Sequence, residues 1–320
     1  MSVTVSISGL QAIASLASEG SMTAAARALG YTPSAVSQQI SKLERDVHQV
    51  LVEQNGRVAT LSAAGRVVAD AARRILDELE QMQTQLESQR KTVSGTLTFA
   101  AFATATRGIV PDALHRLRIN WPNLECHLAE ADSHHAMALV EHGAVDIAVV
   151  HDWLEMPLAL PAGLAARRLG DDISDVLVLV DHPLADRGAV AMTELRGEPW
   201  LYEPGSVAHY LLIQSFGAIP NARPFGHVVV EYASQIAMVG AGLGVALVPR
   251  MGRGAVPGTV RVLSVVPAPT RRVYAVWRSL TGARPALQAA VLALEESFSE
   301  TVTDAVMPPR TASLPLAGRR

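Results

Sequence analysis

The chain has 320 residues, a formal net charge of −3 and a single cysteine, Cys126. That length exceeds one ordinary core and allows two or three domains, the near-neutral balance excludes coating nucleic acid by charge alone, and one cysteine excludes a disulfide within the chain. Apolar residues make up 49% and aromatic ones only 4%, a mix that suits helices and buried parallel strands rather than an all-β sandwich.

The first sixty residues read as short helices. Leu10, Ile13, Ala14 and Ala17 share one face of a first helix, with Ser8 as its cap. A second helix starts near Thr23 and ends at Gly30, and Thr32-Pro33 opens a third with an N-cap and a proline at the first helical position. This third helix is two-faced. Val36, Ile40, Leu43 and Val47 line one side, and Ser34, Ser37, Gln38, Ser41 and Arg45 line the other. Residues 51–61, with an Asn55-Gly56 turn signal, read as a small β-wing.

Residues 62–91 read as one long helix. Val68, Ala72, Ile75, Leu79, Met82 and Leu86 are spaced as a heptad seam. A lone helix cannot bury that stripe, so it is expected to pair with a second copy, giving a homodimer or homotetramer. The alternative is packing on its own domain. After a break at 92–95, strands and helices alternate in two sets, the signature of two α/β lobes built on parallel sheets with crossover helices. Strands are expected at 97–102, 125–129, 146–150, 175–180, 227–230, 245–249, 261–266 and 272–277, and a helix at 285–298 returns to the first lobe. The segment after Thr301 reads as an unstructured tail. No apolar run reaches the ~18–20 residues of a membrane span. The N-terminus lacks a secretion pattern, so a cytoplasmic protein without a membrane partner is expected.

Several motifs in the first part fall into one pattern. Gly20-Ser21-Met22-Thr23-Ala24-Ala25-Ala26, then Leu29, then Thr32-Pro33-Ser34-Ala35-Val36-Ser37-Gln38-Gln39-Ile40, then Leu43-Glu44 and Leu61-Ser62-Ala63-Ala64-Gly65 resemble the winged helix-turn-helix of LysR-type transcriptional regulators. His182-Pro183-Leu184-Ala185 and the run from Gly240 to Pro249 resemble patterns of that family's effector domain. The chain departs from the family at His48, where glycine is frequent, at Val52, where phenylalanine is, and at Gln54, where the wing often carries arginine. The resemblance implies an α/β protein with an N-terminal all-α winged helix-turn-helix, a long linker helix and a two-lobed, periplasmic-binding-protein-like effector domain. The expected divisions are 1–65 for the DNA-binding domain and 66–93 for the linker. Lobe 1 is expected at 94–167 and 267–300, lobe 2 at 168–266, and the tail at 301–320.

A recognition helix places its N-terminal part against base edges in the major groove of duplex DNA. Ser34, Ser37 and Gln38 stand there, and glutamine can pair bidentately with adenine. Thr23, Thr32 and Pro33 lie at helix starts suited to phosphate oxygens, and Lys42 and Arg57 are the charged phosphate candidates. Residues 1–91 hold nine basic and nine acidic side chains, so tight binding is expected to need more than one copy on spaced half-sites.

In open α/β sheets, ligands bind outside the carboxyl ends of the strands. The candidates there are Phe102, Thr104 and Thr106, then Asp132, Ser133 and His151, and in lobe 2 Tyr202, Ser206 and Tyr232. Hydroxyls and free N–H groups at helix starts suit a small anion such as a carboxylate, although the same hydroxyls also serve as helix caps. RNA polymerase enters as a further candidate partner, and no cofactor is expected. The glycines at 240–244 precede a strand instead of opening a helix, against a dinucleotide site. His134, His135, His142 and His151 lack a completing ligand set for a metal, and no catalytic elbow appears. A cytoplasmic enzyme or solute-binding protein with two α/β lobes is the rival reading.

Overall fold

The computed structural model describes residues 5–55, 58–90, 92–153, 157–216 and 226–306. The head is built from α1 (Ile7–Glu19), α2 (Met22–Ala28) and α3 (Pro33–Val47), followed by the antiparallel ribbon β1 (Val52–Asn55) and β2 (Val58–Leu61). Each helix is capped by its own sequence. Ser6, not Ser8, caps α1 by accepting from the Gly9 N–H, because Ile7 is already helical. Ser21 caps α2 and Thr32 caps α3. Gly30, at φ 69°, lets the Tyr31 N–H return to the Ala26 carbonyl and closes α2. Leu10, Ile13, Leu16, Ala25, Ala26, Val36, Ile40 and Leu43 form one buried core with Leu51. Asn55 pairs with Val58 as the last residue of its strand, so it ends the ribbon strand instead of forming the turn; Gly56 and Arg57 lie outside the described residues.

Helix α4 (Ala63–Arg90) leaves the head and leads to the α/β region. Lobe 1 comprises β3 (Gly95–Ala101), α5 (Ala103–Gly108), α6 (Val110–Asn120), β4 (Leu124–Glu130), α7 (Ser133–Glu141) and β5 (Ile147–Trp153). The 16-residue strand β6 (Leu164–Leu179) then passes into lobe 2, which holds β7 (Ala189–Val190), β8 (Trp200–Tyr202), α8 (Val207–Phe216), β9 (His227–Val228), α9 (Tyr232–Gly240), β10 (Val245–Pro249) and β11 (Val260–Val265). The chain returns to lobe 1 as β12 (Thr270–Arg278) and α10 (Pro285–Val306).

The sheets are mixed, not parallel throughout. In lobe 1 the order is β4-β3-β5-β12-β6, with β12 antiparallel to both neighbours. In lobe 2, β9, β8 and β10 are parallel, while β6 runs antiparallel to β10 and β11. β6 pairs with β12 up to Ile173 and with β10 from Ser174 onward. The change of lobe therefore falls at 173/174 and not at the expected 167/168. Strand 175–180 of the sequence reading is only the lobe 2 half of β6; its first half carries Arg167, Arg168, Asp171 and Asp172 and lacks an apolar alternation. Thr104 and Thr106 lie inside the short helix α5, and His151 lies inside β5, which extends to Trp153. α10 continues to Val306, past the expected helix end.

Candidate DNA-reading helix and effector cleft

Helix α3 turns Val36, Ile40 and Leu43 into the head core. Ser34, Ser37, Gln38, Ser41 and Lys42 are all exposed on its other side. The Thr32 hydroxyl accepts from the Ala35 N–H at 3.3 Å and pairs with the Ser34 hydroxyl at 3.0 Å, so it serves the helix first. Pro33 occupies the first turn, and Thr23 is exposed beside the Ser21 cap of α2. Arg57 lies outside the described residues. Two residues of the resemblance motif, given no role from the sequence, hold the head together. Glu44 accepts from the Leu51 and Val52 N–H groups at 2.8 and 3.1 Å, fixing the ribbon to α3. Ser62 accepts from the Gly65 N–H and donates to the Val50 carbonyl, fixing the start of α4.

The α4 seam divides. Val68 and Ala72 face the core of their own head, because α4 packs on α1, and so are not available to a second copy. Ile75, Met82 and Leu86 remain 46%, 53% and 52% exposed, and Leu79 is half-buried.

The segments that follow β3 in lobe 1 and β10 in lobe 2 meet. α5, after β3, packs against the segment after β10: a Cβ on Gly252 would come within 2.3 Å of the Thr104 carbonyl oxygen. At the floor of this cleft lies Arg271 of β12, buried to 2% exposure. Its guanidinium donates to Asp172 at 2.9 Å and to the Thr104 hydroxyl at 2.6 Å, and lies 4.9 Å from the centre of the Phe102 ring. Asp172 also accepts from the Met251 N–H of lobe 2 at 2.9 Å. His151 stands edge-on to Phe102, ring centres 4.5 Å apart. Burial, with the charges of Arg271 and His134, holds its imidazole well below the ordinary histidine value, and its Nδ1 is buried without a hydrogen-bond partner.

Lobe 2 faces this floor with Tyr232, whose phenol is pushed up by burial, and Glu203, whose carboxyl is pushed up by burial and by Asp132 across the cleft. Tyr202, Glu203, Ser206, Tyr232 and Gln235 line a small pocket within lobe 2. Arg107 of α5 pairs with Glu231, the N-cap of α9, bridging the lobes. Burial opposes ionisation of Glu231, but the Ala233 and Ser234 N–H groups and Arg107 hold its pKa at about 2.

The sequence-predicted effector residues are thus unequally placed. Phe102, Thr104 and His151 gather around Arg271. Ser133 is spent on the His151 N–H at 3.0 Å, and Asp132 caps α7 by accepting from the His134 and His135 N–H groups. Thr106 reaches back toward the Ala101 carbonyl, and Ser206 caps α8. Arg271, Asp172 and Arg107 were missed, and Glu231, noted only as following a strand, proves to pair with Arg107. For Asp172 and Arg271 the signal was present in charged residues inserted into strands, Asp171-Asp172 and Arg271-Arg272, where burial demands partners; Arg107, on a helix, carried none.

Residues 90–299 match the LysR substrate binding domain, and residues 7–66 match the bacterial regulatory helix-turn-helix of the lysR family. The DNA-binding transcriptional dual regulator OxyR of Escherichia coli is 28% identical over 292 residues, covering 86% of this chain and 90% of that protein. The regulator IlvY of the same organism is 27% identical over 229 residues, covering 71% and 75%. Among solved structures, a full-length OxyR variant of Pseudomonas aeruginosa superposes with a TM-score of 0.66 at 19% identity, covering 92% of this chain and 95% of the other. A peroxide-bound OxyR variant of Corynebacterium glutamicum does so at 0.58 and 24%, covering 94% and 95%. With both domain matches falling on the head and the two lobes just described, the chain belongs to the LysR family of DNA-binding transcriptional regulators, with an effector-binding domain and no enzymatic role.

Proposed function

We propose that this regulator reads duplex promoter DNA with the first half of α3, as a homodimer or homotetramer in the cytoplasm, and that a small molecule between the lobes alters that binding. The observation that carries the reading is the division of α3: Ser34, Ser37 and Gln38 are exposed while Val36, Ile40 and Leu43 are buried. Ser34, Ser37 and Gln38 are the base-reading residues, Lys42 approaches the backbone, and RNA polymerase is the partner at promoters it activates. Selection of binding sites from random duplex DNA tests this. The wild-type chain enriches a palindromic half-site, and the Ser37→Ala, Gln38→Ala double variant binds it roughly tenfold or more weakly, the loss of one bidentate base contact. Unchanged affinity and sequence preference would remove α3 as the reading element.

The cleft supports a neutral polar effector over the anion expected from the sequence. Arg271 is neutralised by Asp172 and Arg107 by Glu231, and the Thr104 hydroxyl is already bound. Asp132 and Glu203 set two carboxyl groups near one another across the cleft, which disfavours a further anion. Thermal-shift screening with amides and sugars against carboxylates decides it: stabilisation by carboxylates alone overturns the neutral assignment. Several relatives are named hydrogen peroxide-inducible genes activators. Here the only cysteine is Cys126, on β4, and burial raises its thiol pKa. A disulfide switch within the chain is not open to it.

A further inference from the structure

The second half of α4 carries two stripes. The apolar one, Ile75, Leu79, Met82 and Leu86, lies roughly 130° round the helix from a polar one, Glu80, Thr84 and Glu87, at 3.6 residues per turn. The apolar stripe is largely exposed, whereas the polar stripe is docked on lobe 1. Arg278, at the end of β12, grips Glu80 with its Nε at 2.9 and 3.1 Å from the two carboxylate oxygens, and its Nη2 joins the same group. The Arg278 Nη1 donates to the Val140 carbonyl at 2.7 Å, at the end of α7. Arg284 donates to Glu87 at 2.8 Å and pairs with Asp146, which itself accepts from the Thr98 N–H at 2.8 Å and hydroxyl at 2.7 Å. Between the two pairs, Thr84 is buried to 3% with its hydroxyl unpartnered. A further contact joins Glu19, at the end of α1, to His142 after α7, at 3.0 Å.

These are not ordinary surface pairs. The Arg278 and Arg284 side chains are only 13% and 14% exposed, and each guanidinium holds the linker and the lobe 1 sheet or loops at once. Planar, forked donors fix orientation as well as distance.

We infer that Arg278–Glu80 and Arg284–Glu87 form a clamp that makes the linker and lobe 1 one rigid lever, so that the pose of lobe 1 sets the spacing of the DNA-reading heads. Arg278, Arg284, Glu80 and Glu87 are positioning residues; none touches DNA or lines the cleft. This rests on the promoter-binding reading above.

The test compares full-length wild type with the Glu80→Ala, Glu87→Ala variant in selection from random duplex DNA. Alanine keeps α4 helical, which far-UV circular dichroism checks, and Glu78→Ala, an exposed position on the same helix, controls for lost charge. The expected result is the same half-site sequence in all three proteins. The clamp variant alone should accept half-site spacings spread over several base pairs and bind the wild-type spacing roughly tenfold more weakly, as a looser linkage lowers effective concentration. Hydrogen exchange in the second half of α4 should rise with it. A spacing preference as sharp as wild type overturns the clamp, as does a changed half-site sequence, since the clamp contacts no base-reading residue. A wild-type chain that enriches no site fails differently: it overturns the DNA-binding reading, and the clamp's role with it.

Discussion

His151 sits within β5, its ring against Phe102 and its imidazole kept neutral by burial and by the nearby charges of Arg271 and His134. In the unfolded chain it regains the ordinary value near ~6.5. Its folded pKa is depressed, so its contribution is complete above that value and is lost as pH falls below it, because the unfolded state takes up a proton that the native state refuses. The slope is about 1.4 kcal/mol per pH unit for one such group. Between pH 7 and pH 5, wild type should therefore lose stability more steeply than a His151→Phe variant, read as urea midpoints across pH; parallel curves would remove His151 as a buried neutral base. His48 presents a backbone case. It closes α3 at φ 54°, the one non-glycine residue with positive φ among the described residues. A side chain there costs roughly 1 kcal/mol, partly offset by the greater unfolded-state freedom of glycine. His48→Gly should raise stability by roughly 0.5 kcal/mol in the same denaturation measurement, and a loss would contradict the strained assignment. The resemblance marked His48 as a departure from a frequent glycine; the left-handed turn that asks for glycine is seen only in the fold.

At the scale of elements, one motif of the resemblance has a plain backbone reason at two of its positions. In Leu61-Ser62-Ala63-Ala64-Gly65, Ser62 caps α4, and Gly65 allows that helix to lie against Leu51: a Cβ on Gly65 would fall 2.0 Å from the Leu51 carbonyl oxygen. Relief requires moving backbone, so Gly65→Ala should cost several kcal/mol, on the order of the largest single-substitution effects, and abolish DNA binding. A head that melts as wild type does would show that α4 can shift freely. Helix α4 was legible as a period but not as a surface, since spacing cannot say which turns face the chain's own head. Strand β6 was half legible. Its lobe 2 portion is apolar, while its lobe 1 portion holds Arg168, Asp171 and Asp172, and Asp172 finds its ion partner, Arg271, far along the chain. The same blindness to distant partners hid the cleft floor: Thr104 was identified by position, but Arg271, which claims its hydroxyl, lies 167 residues away.

Across the whole molecule, charge and oligomeric state are coupled. Each head with its linker carries equal numbers of acids and bases, so a single head gathers little affinity from phosphates, and useful binding must come from joining heads. The surface we propose for joining is the stripe Ile75, Met82 and Leu86. It stays exposed because the polar stripe of the same helix is the one that meets lobe 1. A second copy laid along it buries three large apolar side chains that the single chain leaves in water. Charging that stripe with Ile75→Glu and Met82→Glu should leave the head and lobes folded, because neither side chain belongs to a core of its own chain. Sedimentation velocity should then show the species shift to monomer. Affinity for a two-half-site duplex should fall by about 10² or more, the avidity that linkage supplies, while affinity for an isolated half-site stays the same. A variant that sediments as wild type would place the joining surface elsewhere, and one that becomes monomeric yet binds the full site undiminished would show that a single near-neutral head suffices.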